Sequence, residues 1–263
     1  MNTGELAALA PRIVDAARAA GGRIMDYYGQ TVTARAKDDR SPVTDADDAA
    51  ERIILPVLDD LLPGVPTVSE EAVSREGAPD IGTACAERRF WLVDPLDGTK
   101  EFLNRNGEFT VNIALIVDAA PLLGVVHLPA LGTTYLGIVG KGATVETTEG
   151  QRRDIAARVP PSAGVTVLAS RSHGNDAALD AFLKDMRIAD RINAGSSLKF
   201  CRVAEGIADI YPRLGRTMEW DTAAGQAVLA AAGGSVCRID GTSLTYGKPG
   251  FENPHFIARG RKG

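Results

Sequence analysis

Two carboxylates bracket a sharp bend in the segment Asp94-Pro95-Leu96-Asp97-Gly98-Thr99, directly after the apolar run Phe90-Trp91-Leu92-Val93. The apolar run reads as a buried strand. Pro95 has no N–H to give a sheet ladder, which predicts that the strand stops there. Asp97-Gly98-Thr99 then predicts a turn opening a short helix over 97–103, with Asp97 as its cap. Carboxylate oxygens at a strand end suit hard divalent cations, and the N–H groups at a helix start attract phosphate. An isolated Asp-x-x-Asp-Gly is as easily a turn former, because both residue types crowd into turns. Further acidic and hydroxyl positions move the reading towards chemistry.

Glu70 follows a predicted strand over 65–69, and Asp221 opens a predicted helix in Asp221-Thr222-Ala223-Ala224-Gly225. Carboxylates brought together repel one another unless cations neutralise them. Oxygen-only donors select Mg²⁺ or Mn²⁺ over zinc. The backbone carbonyl of Leu96, at the bend, is a further candidate ligand. Convergence of these groups is an expectation, since spacing alone does not bring them together. Two or more such ions beside a helix N-terminus favour in-line attack of water on phosphorus. The N–H groups of Gly98 and Thr99 are candidates to hold the phosphate, with Gly98 leaving room for its close approach. Asp47, in Thr44-Asp45-Ala46-Asp47, is a candidate to accept a hydrogen bond from the Thr99 hydroxyl and so help deprotonate the water. Equally, Asp47 reads as a first-turn acid of its helix and Thr99 as a cap.

Composition narrows the field. A chain of 263 residues, 44% hydrophobic and 24% charged, is ordinary for one large globular domain or two modest ones. A net charge of -5 argues against a broad nucleic-acid surface and leaves room for a small anionic ligand. No apolar run is long enough to span a bilayer, and Met1 to Pro11 lacks the pattern of a signal peptide. Cys85, Cys201 and Cys237 are isolated, which predicts reduced thiols, with Cys201 in a helix core. His127, His173 and His255 form no metal-binding motif. Gly140-Lys141-Gly142 is no phosphate-binding P-loop, and Gly195-Ser196-Ser197-Leu198-Lys199 is no nucleophile elbow.

The elements that must position these residues follow from periodicity. Leu6, Leu9, Ile13, Ala17, Ala20, Ile24 and Tyr27 recur at helical spacing before Gly29, and a second helix is predicted over 45–62. Residues 72–88 read as a surface loop. Strands over 109–117, 122–127, 134–139 and 143–147 read as an antiparallel meander packed against helices. Arg158 to Gly164, with Pro160-Pro161, is the predicted boundary between an N-terminal α+β domain (1–157) and a C-terminal α/β domain (158–263). Beyond it, strands over 165–169, 187–192 and 208–211 alternate with helices over 175–185, 196–206 and 221–232, before a last strand near Phe256.

With these motifs in place, the chain resembles the lithium-sensitive, Mg²⁺-dependent phosphomonoesterases of the inositol monophosphatase superfamily. The resemblance rests on Glu70-Glu71, on Asp94 to Thr99, and on Trp220-Asp221-Thr222-Ala223-Ala224-Gly225, and it runs through nearly the whole chain. It implies alternating α-β-α-β-α layers, a fold shared with fructose-1,6-bisphosphatases. It also implies two or three Mg²⁺ ions (Mn²⁺ substituting) on Glu70, Asp94, the Leu96 carbonyl, Asp97 and Asp221, and a water-activating pair, Thr99 and Asp47. Lys100-Glu101-Phe102, Gly195-Ser196-Ser197-Leu198-Lys199-Phe200-Cys201 and Leu244-Thr245-Tyr246-Gly247-Lys248 are similar to the bacterial 3'(2'),5'-bisphosphate nucleotidase branch.

That branch implies hydrolysis of the 3'-phosphate of 3'-phosphoadenosine 5'-phosphate to AMP, with 3'-phosphoadenosine 5'-phosphosulfate as a further substrate. Lys199 is then expected to hold the phosphate that is not cleaved, with His173, Ser196 and Arg213 against the nucleotide and Arg171 a looser candidate. Met218-Glu219 departs locally from related sequences by placing an acid next to Trp220-Asp221. Inositol phosphates and fructose 1,6-bisphosphate are alternative substrates, and a silent nucleotide or metal sensor is the alternative of another class. The resemblance places the protein in the cytoplasm, with a homodimer and peripheral attachment at the inner membrane face left open.

Overall fold

A computed structural model of the protein describes residues 1–30, 35–36, 42–79, 81, 88–171 and 176–263. Cys85 and His173 lie outside the described residues. The N-terminal half begins with α1 (Thr3–Tyr28), the short antiparallel pair β1 (Arg35–Ala36) and β2 (Pro42–Val43), and α2 (Asp45–Leu61). Both helices open on capping boxes, Asn2 with Glu5 and Thr44 with Asp47, which satisfy N–H groups that the first turn leaves unpaired. Next come β3 (Thr67–Ser69), α3 (Glu70–Glu76), β4 (Arg89–Asp97), α4 (Thr99–Leu103), β5 (Thr110–Val117), β6 (Ala120–Leu128), β7 (Thr133–Ile138), β8 (Gly142–Glu146) and β9 (Arg152–Ile155).

These strands form one seven-stranded sheet in the order β3 to β9, antiparallel except for the parallel β3–β4 pair. The expected meander is present, with β9 as an added edge. The expected loop over 72–88 is corrected at its start, because α3 runs to Glu76 before Gly77 (φ +86°) ends it.

The second half contributes β10 (Val165–Ser170), α5 (Asp176–Leu183), β11 (Ile188–Ala194), α6 (Leu198–Ala204), β12 (Ile210–Arg213), α7 (Ala223–Ala231), β13 (Ser235–Arg238) and β14 (Phe256–Arg259). A five-stranded sheet of order β11-β10-β12-β14-β13 results, parallel among its first three strands and antiparallel in the rest.

Side-chain alternation along the strands assigns the layers. On β5, Val111, Ile113 and Leu115 join α1 and α2 in one core, while Ala114 and Ile116 join α6 and α7 in another. That second core continues into Tyr211, Val236 and Phe256 of the five-stranded sheet, so α6 and α7 lie between the sheets. Leu179 and Leu183 of α5 cover the far face, against Val167, Ile210 and Ile257. The order is therefore the expected α-β-α-β-α. Cys201 is fully buried in the middle layer. Among the described residues, no helix is long and apolar enough to cross a membrane.

The middle layer requires close approach of backbone to backbone. A Cβ on Gly137 would stand 2.4 Å from the Val228 Cα and 2.8 Å from the Ala227 carbonyl. Gly137→Ala is therefore expected to destabilise by at least roughly 1–3 kcal/mol, measured by urea denaturation. Gly22 of α1 has nothing within 4 Å of such a Cβ, so Gly22→Ala should stabilise by up to about 1 kcal/mol.

Candidate active site

The parallel pairing of β3 with β4 sets Ser69 opposite Val93, so Glu70 leaves its strand beside Asp94. Asp221 arrives from the turn ahead of α7. Carboxylate oxygens of Glu70, Asp94 and Asp221 lie within 4.8 Å of one another. Three chain segments thus bring three of the four predicted acids to one point, and Asp97 is not in that group.

The bend differs from its sequence reading. β4 continues through Pro95 to Asp97, because Pro95 and Leu96 form a bulge: Asp94 pairs with Asn112 and Asp97 with Thr110, leaving two residues opposite one. A bulge is where a strand tolerates a residue without an N–H. Asp94 tightens it by accepting the Leu96 N–H at 3.0 Å. Nor is Asp97 the cap of α4. That position falls to Gly98, in the left-handed region (φ +90°, ψ +46°), where a Cβ would come within 3.3 Å of Ser196. The Asp97 carboxylate is instead committed through Oδ2, which accepts the Ser197 N–H at 2.7 Å, the Asn112 amide at 3.2 Å and the Thr110 hydroxyl at 3.3 Å.

Burial pushes the carboxyl pKa values of Asp97 and Asp221 upward. Repulsion from Asp97 and Glu70 drives Asp221 further, while Lys199 and the Ser197 and Asn112 hydrogen bonds draw Asp97 back. Converging, partly desolvated, oxygen-only donors that repel one another fit a hard divalent cation.

The expected catalytic pair is not hydrogen-bonded as foreseen. The Thr99 hydroxyl donates to the Leu96 carbonyl at 3.4 Å. Asp47 accepts both the N–H (2.8 Å) and the hydroxyl (2.7 Å) of Thr44, the geometry of a first-turn acid in a capping box. Thr99 lines the cavity beside the acids, and Asp47 is buried at the start of α2.

That cavity, about 520 Å³, is lined both by the acids and by two cations, Lys199 of α6 and Arg213 of β12. Lys199 is buried. Its ammonium donates to the carbonyls of Ser196 (2.7 Å) and Ala194 (3.3 Å) and lies 5.3 Å from the Tyr211 ring centroid. Burial lowers its pKa to about 8, against the opposing pull of Asp97. Arg213, 9% exposed, donates to the Arg216 carbonyl at 2.8 Å, while its buried Nε has no hydrogen-bond partner. The Ser196 hydroxyl, also on the cavity wall, is likewise unpartnered.

Two sequence readings change. Arg171 makes a two-pronged ion pair with Glu108, both bonds 2.9 Å, and Glu108 also accepts the Gly195 N–H at 2.8 Å. Its visible role is therefore to hold the Gly195 turn. Glu219, the acid beside Trp220-Asp221, is fully buried and is held by groups outside the acidic cluster. It accepts the N–H groups of Gly247 (2.7 Å) and Lys248 (2.9 Å) and pairs with the Lys248 ammonium. Thr110, Asn112 and Ser197 were not singled out by sequence reasoning. A polar Asn112 inside the apolar run 111–117 was the one signal that pointed to them.

Comparison with known proteins gives this geometry its context. The inositol monophosphatase family profile matches residues 5–259. The 3'(2'),5'-bisphosphate nucleotidase CysQ of Escherichia coli (strain K12) is 46% identical over 250 residues, covering 93% of this chain and 97% of that protein. Its counterpart from Buchnera aphidicola subsp. Acyrthosiphon pisum is 40% identical, covering 94% and 92%. The crystal structure of CysQ from Bacteroides thetaiotaomicron, 35% identical, superposes with a TM-score of 0.81 over 97% of each chain. An inositol monophosphatase from Anabaena (Nostoc) sp. PCC 7120, 25% identical, gives 0.75 over 97% of this chain and 92% of that one. With matching motifs, layers and near-complete coverage, the chain belongs to the inositol monophosphatase family of phosphatases.

Proposed function

We propose that the protein hydrolyses the 3'-phosphate of 3'-phosphoadenosine 5'-phosphate, releasing AMP and phosphate, with Mg²⁺ as its cation. The observation that carries this reading is one cavity lined both by the acidic cluster Glu70, Asp94 and Asp221 and by the cations Lys199 and Arg213. A substrate with two separate phosphates suits both sets of groups, whereas an inositol monophosphate has no second anion for Lys199. The curated relatives named as bisphosphate nucleotidases agree with it.

Glu70, Asp94, Asp97, Asp221 and the Leu96 carbonyl would hold two or three Mg²⁺ ions, with Mn²⁺ able to substitute. Bound there, the ions supply Lewis-acid stabilisation of the phosphoryl oxygens and a lowered pKa for water. The chain's own groups do the positioning. The N–H groups of Gly98 and Thr99, at the start of α4, face the scissile phosphate. The Thr99 hydroxyl, rotated from the Leu96 carbonyl, orients the attacking water, and Asp47 is the acceptor for its proton. Lys199 and Arg213 hold the 5'-phosphate, with Ser196 against the nucleotide. His173 is assigned to nucleotide contact on the sequence resemblance.

The test is phosphate release in Mg²⁺ from four substrates: the 3',5'-bisphosphate nucleotide, AMP, inositol 1-phosphate and fructose 1,6-bisphosphate. Marked preference for the first, with AMP as product, is expected. Preference for the inositol or sugar substrate would overturn the specificity assigned to Lys199 and Arg213. Nucleotide binding with no release from any substrate would overturn the catalytic reading.

A further inference from the structure

Two buried polar residues, Ser197 and Asn112, join the acidic arms of the site without lining the cavity themselves. Both are 1% exposed. The Ser197 N–H donates to Asp97 Oδ2 at 2.7 Å, and its hydroxyl donates to the Asp221 backbone carbonyl at 2.6 Å. The Asn112 amide nitrogen completes the figure, donating to Ser197 Oγ at 2.9 Å and to Asp97 Oδ2 at 3.2 Å. Four chain segments meet here: the β4 bulge, the β5 strand, the turn before α6, and the turn before α7.

The backbone is bent to make this connection. Ser196 sits at φ +40°, in the left-handed region that non-glycine residues rarely occupy. A residue held there is over-determined by its surroundings. Here the determinants are on either side of it: its own carbonyl accepts Lys199, and the next N–H reaches Asp97. The turn therefore delivers one donor to Asp97 and one acceptor to the Lys199 ammonium.

We infer that Ser197 and Asn112 act as a positioning clamp that fixes Asp97 and Asp221 for cation binding. Three donors occupy Asp97 Oδ2 and so fix the orientation of that carboxylate beside the acidic cluster. The Ser197 hydroxyl anchors the Asp221 carbonyl, so that the Asp221 side chain is held where it meets Glu70 and Asp94. Without the clamp, two mutually repelling carboxylates have less to hold them in the binding geometry. Partners of this kind, one layer behind the ligands, typically govern metal affinity by ten- to a hundredfold.

The inference rests on the proposed metal reading of the acidic cluster, and the experiment separates the two. Mn²⁺ binding is measured by electron paramagnetic resonance of the free ion, without substrate, on wild type, Ser197→Ala, Ser197→Thr and Asn112→Ala. Ser197→Ala removes the hydroxyl while keeping the backbone N–H to Asp97, and is expected to weaken Mn²⁺ binding about tenfold. Ser197→Thr, which restores a hydroxyl, should recover most of that loss. Asn112→Ala should weaken binding too, and the double variant Ser197→Ala/Asn112→Ala should lose less than the product of the single effects, because the two residues share one network. Wild-type binding with Ser197→Ala and Asn112→Ala both within twofold of it, at unchanged circular dichroism, would overturn the clamp and leave the metal site standing. A wild-type protein that binds no Mn²⁺ would overturn both.

Discussion

Asp221→Asn is expected to lower kcat/KM for the bisphosphate nucleotide roughly a thousandfold while raising the melting temperature of the metal-free protein. The two effects have one cause. Asp221 is driven up in pKa by burial and by the nearby charges of Asp97 and Glu70. Its ionised form is therefore a source of repulsion unless a cation stands among the three acids. The amide keeps the size of the side chain and can still accept the Met218 N–H that Asp221 Oδ2 receives at 2.8 Å. It removes one negative charge from the cluster, which relieves the apo protein and removes a cation ligand from the enzyme. Function and stability are thus set against each other at this residue. The check is a pair of melting curves, in EDTA and in millimolar Mg²⁺. Wild type should gain midpoint with Mg²⁺ and the variant should gain little. A variant that loses activity and also melts lower in EDTA would mean that Asp221 is a structural acid.

Much of this arrangement is legible in the sequence because it is local. The period of α1, the second helix and the run of short strands after the bend each follow from a few neighbouring residues. The acidic residues were legible for the same reason, since each stands at the end of an element whose extent periodicity defines. Where the reading failed, a non-local partner had decided the outcome. Pro95 looks like a stop in β4 until β5 is seen to accommodate it with a bulge. Asp97 looks like a cap until Ser197, a hundred residues away, is seen to bind it. Glu219 stands beside Trp220-Asp221 in the sequence, and only the fold shows Lys248 and the Gly247 turn holding it.

Asp47 and Thr99 mark a different boundary. Thr44-x-x-Asp47 is a capping pattern in sequence, and the capping bonds are formed. A capping role and a proton-accepting role use the same carboxylate, so the local pattern alone does not choose between them. Lys199 is similar: its charge is plain in the sequence, while its burial and its place on the cavity wall depend on β12 and the Ser196 turn.

Lys199→Met should lower kcat/KM for the bisphosphate nucleotide by about 30- to 100-fold, mostly through KM, and change inositol 1-phosphate turnover by less than about threefold. A charge-assisted hydrogen bond to phosphate contributes about 1.5–3 kcal/mol, which spans this range at its upper end. Methionine fills the volume of the buried stem, so the loss reports the ammonium and not a cavity. The carbonyls of Ala194 and Ser196 lose a donor as well, a cost that falls on stability and on both substrates alike. The pH dependence gives a second readout. Because burial lowers the Lys199 pKa to about 8, the free enzyme loses this charge as pH rises from 7 to 9. The wild-type ratio of kcat/KM for the nucleotide over inositol 1-phosphate should therefore fall through that window, since kcat/KM reports the ionisation of the free enzyme. Lys199→Met, with no ammonium to titrate, should show a low ratio that does not change. A ratio that falls equally in both proteins would assign the titration to another group and remove Lys199 from the recognition of the second phosphate.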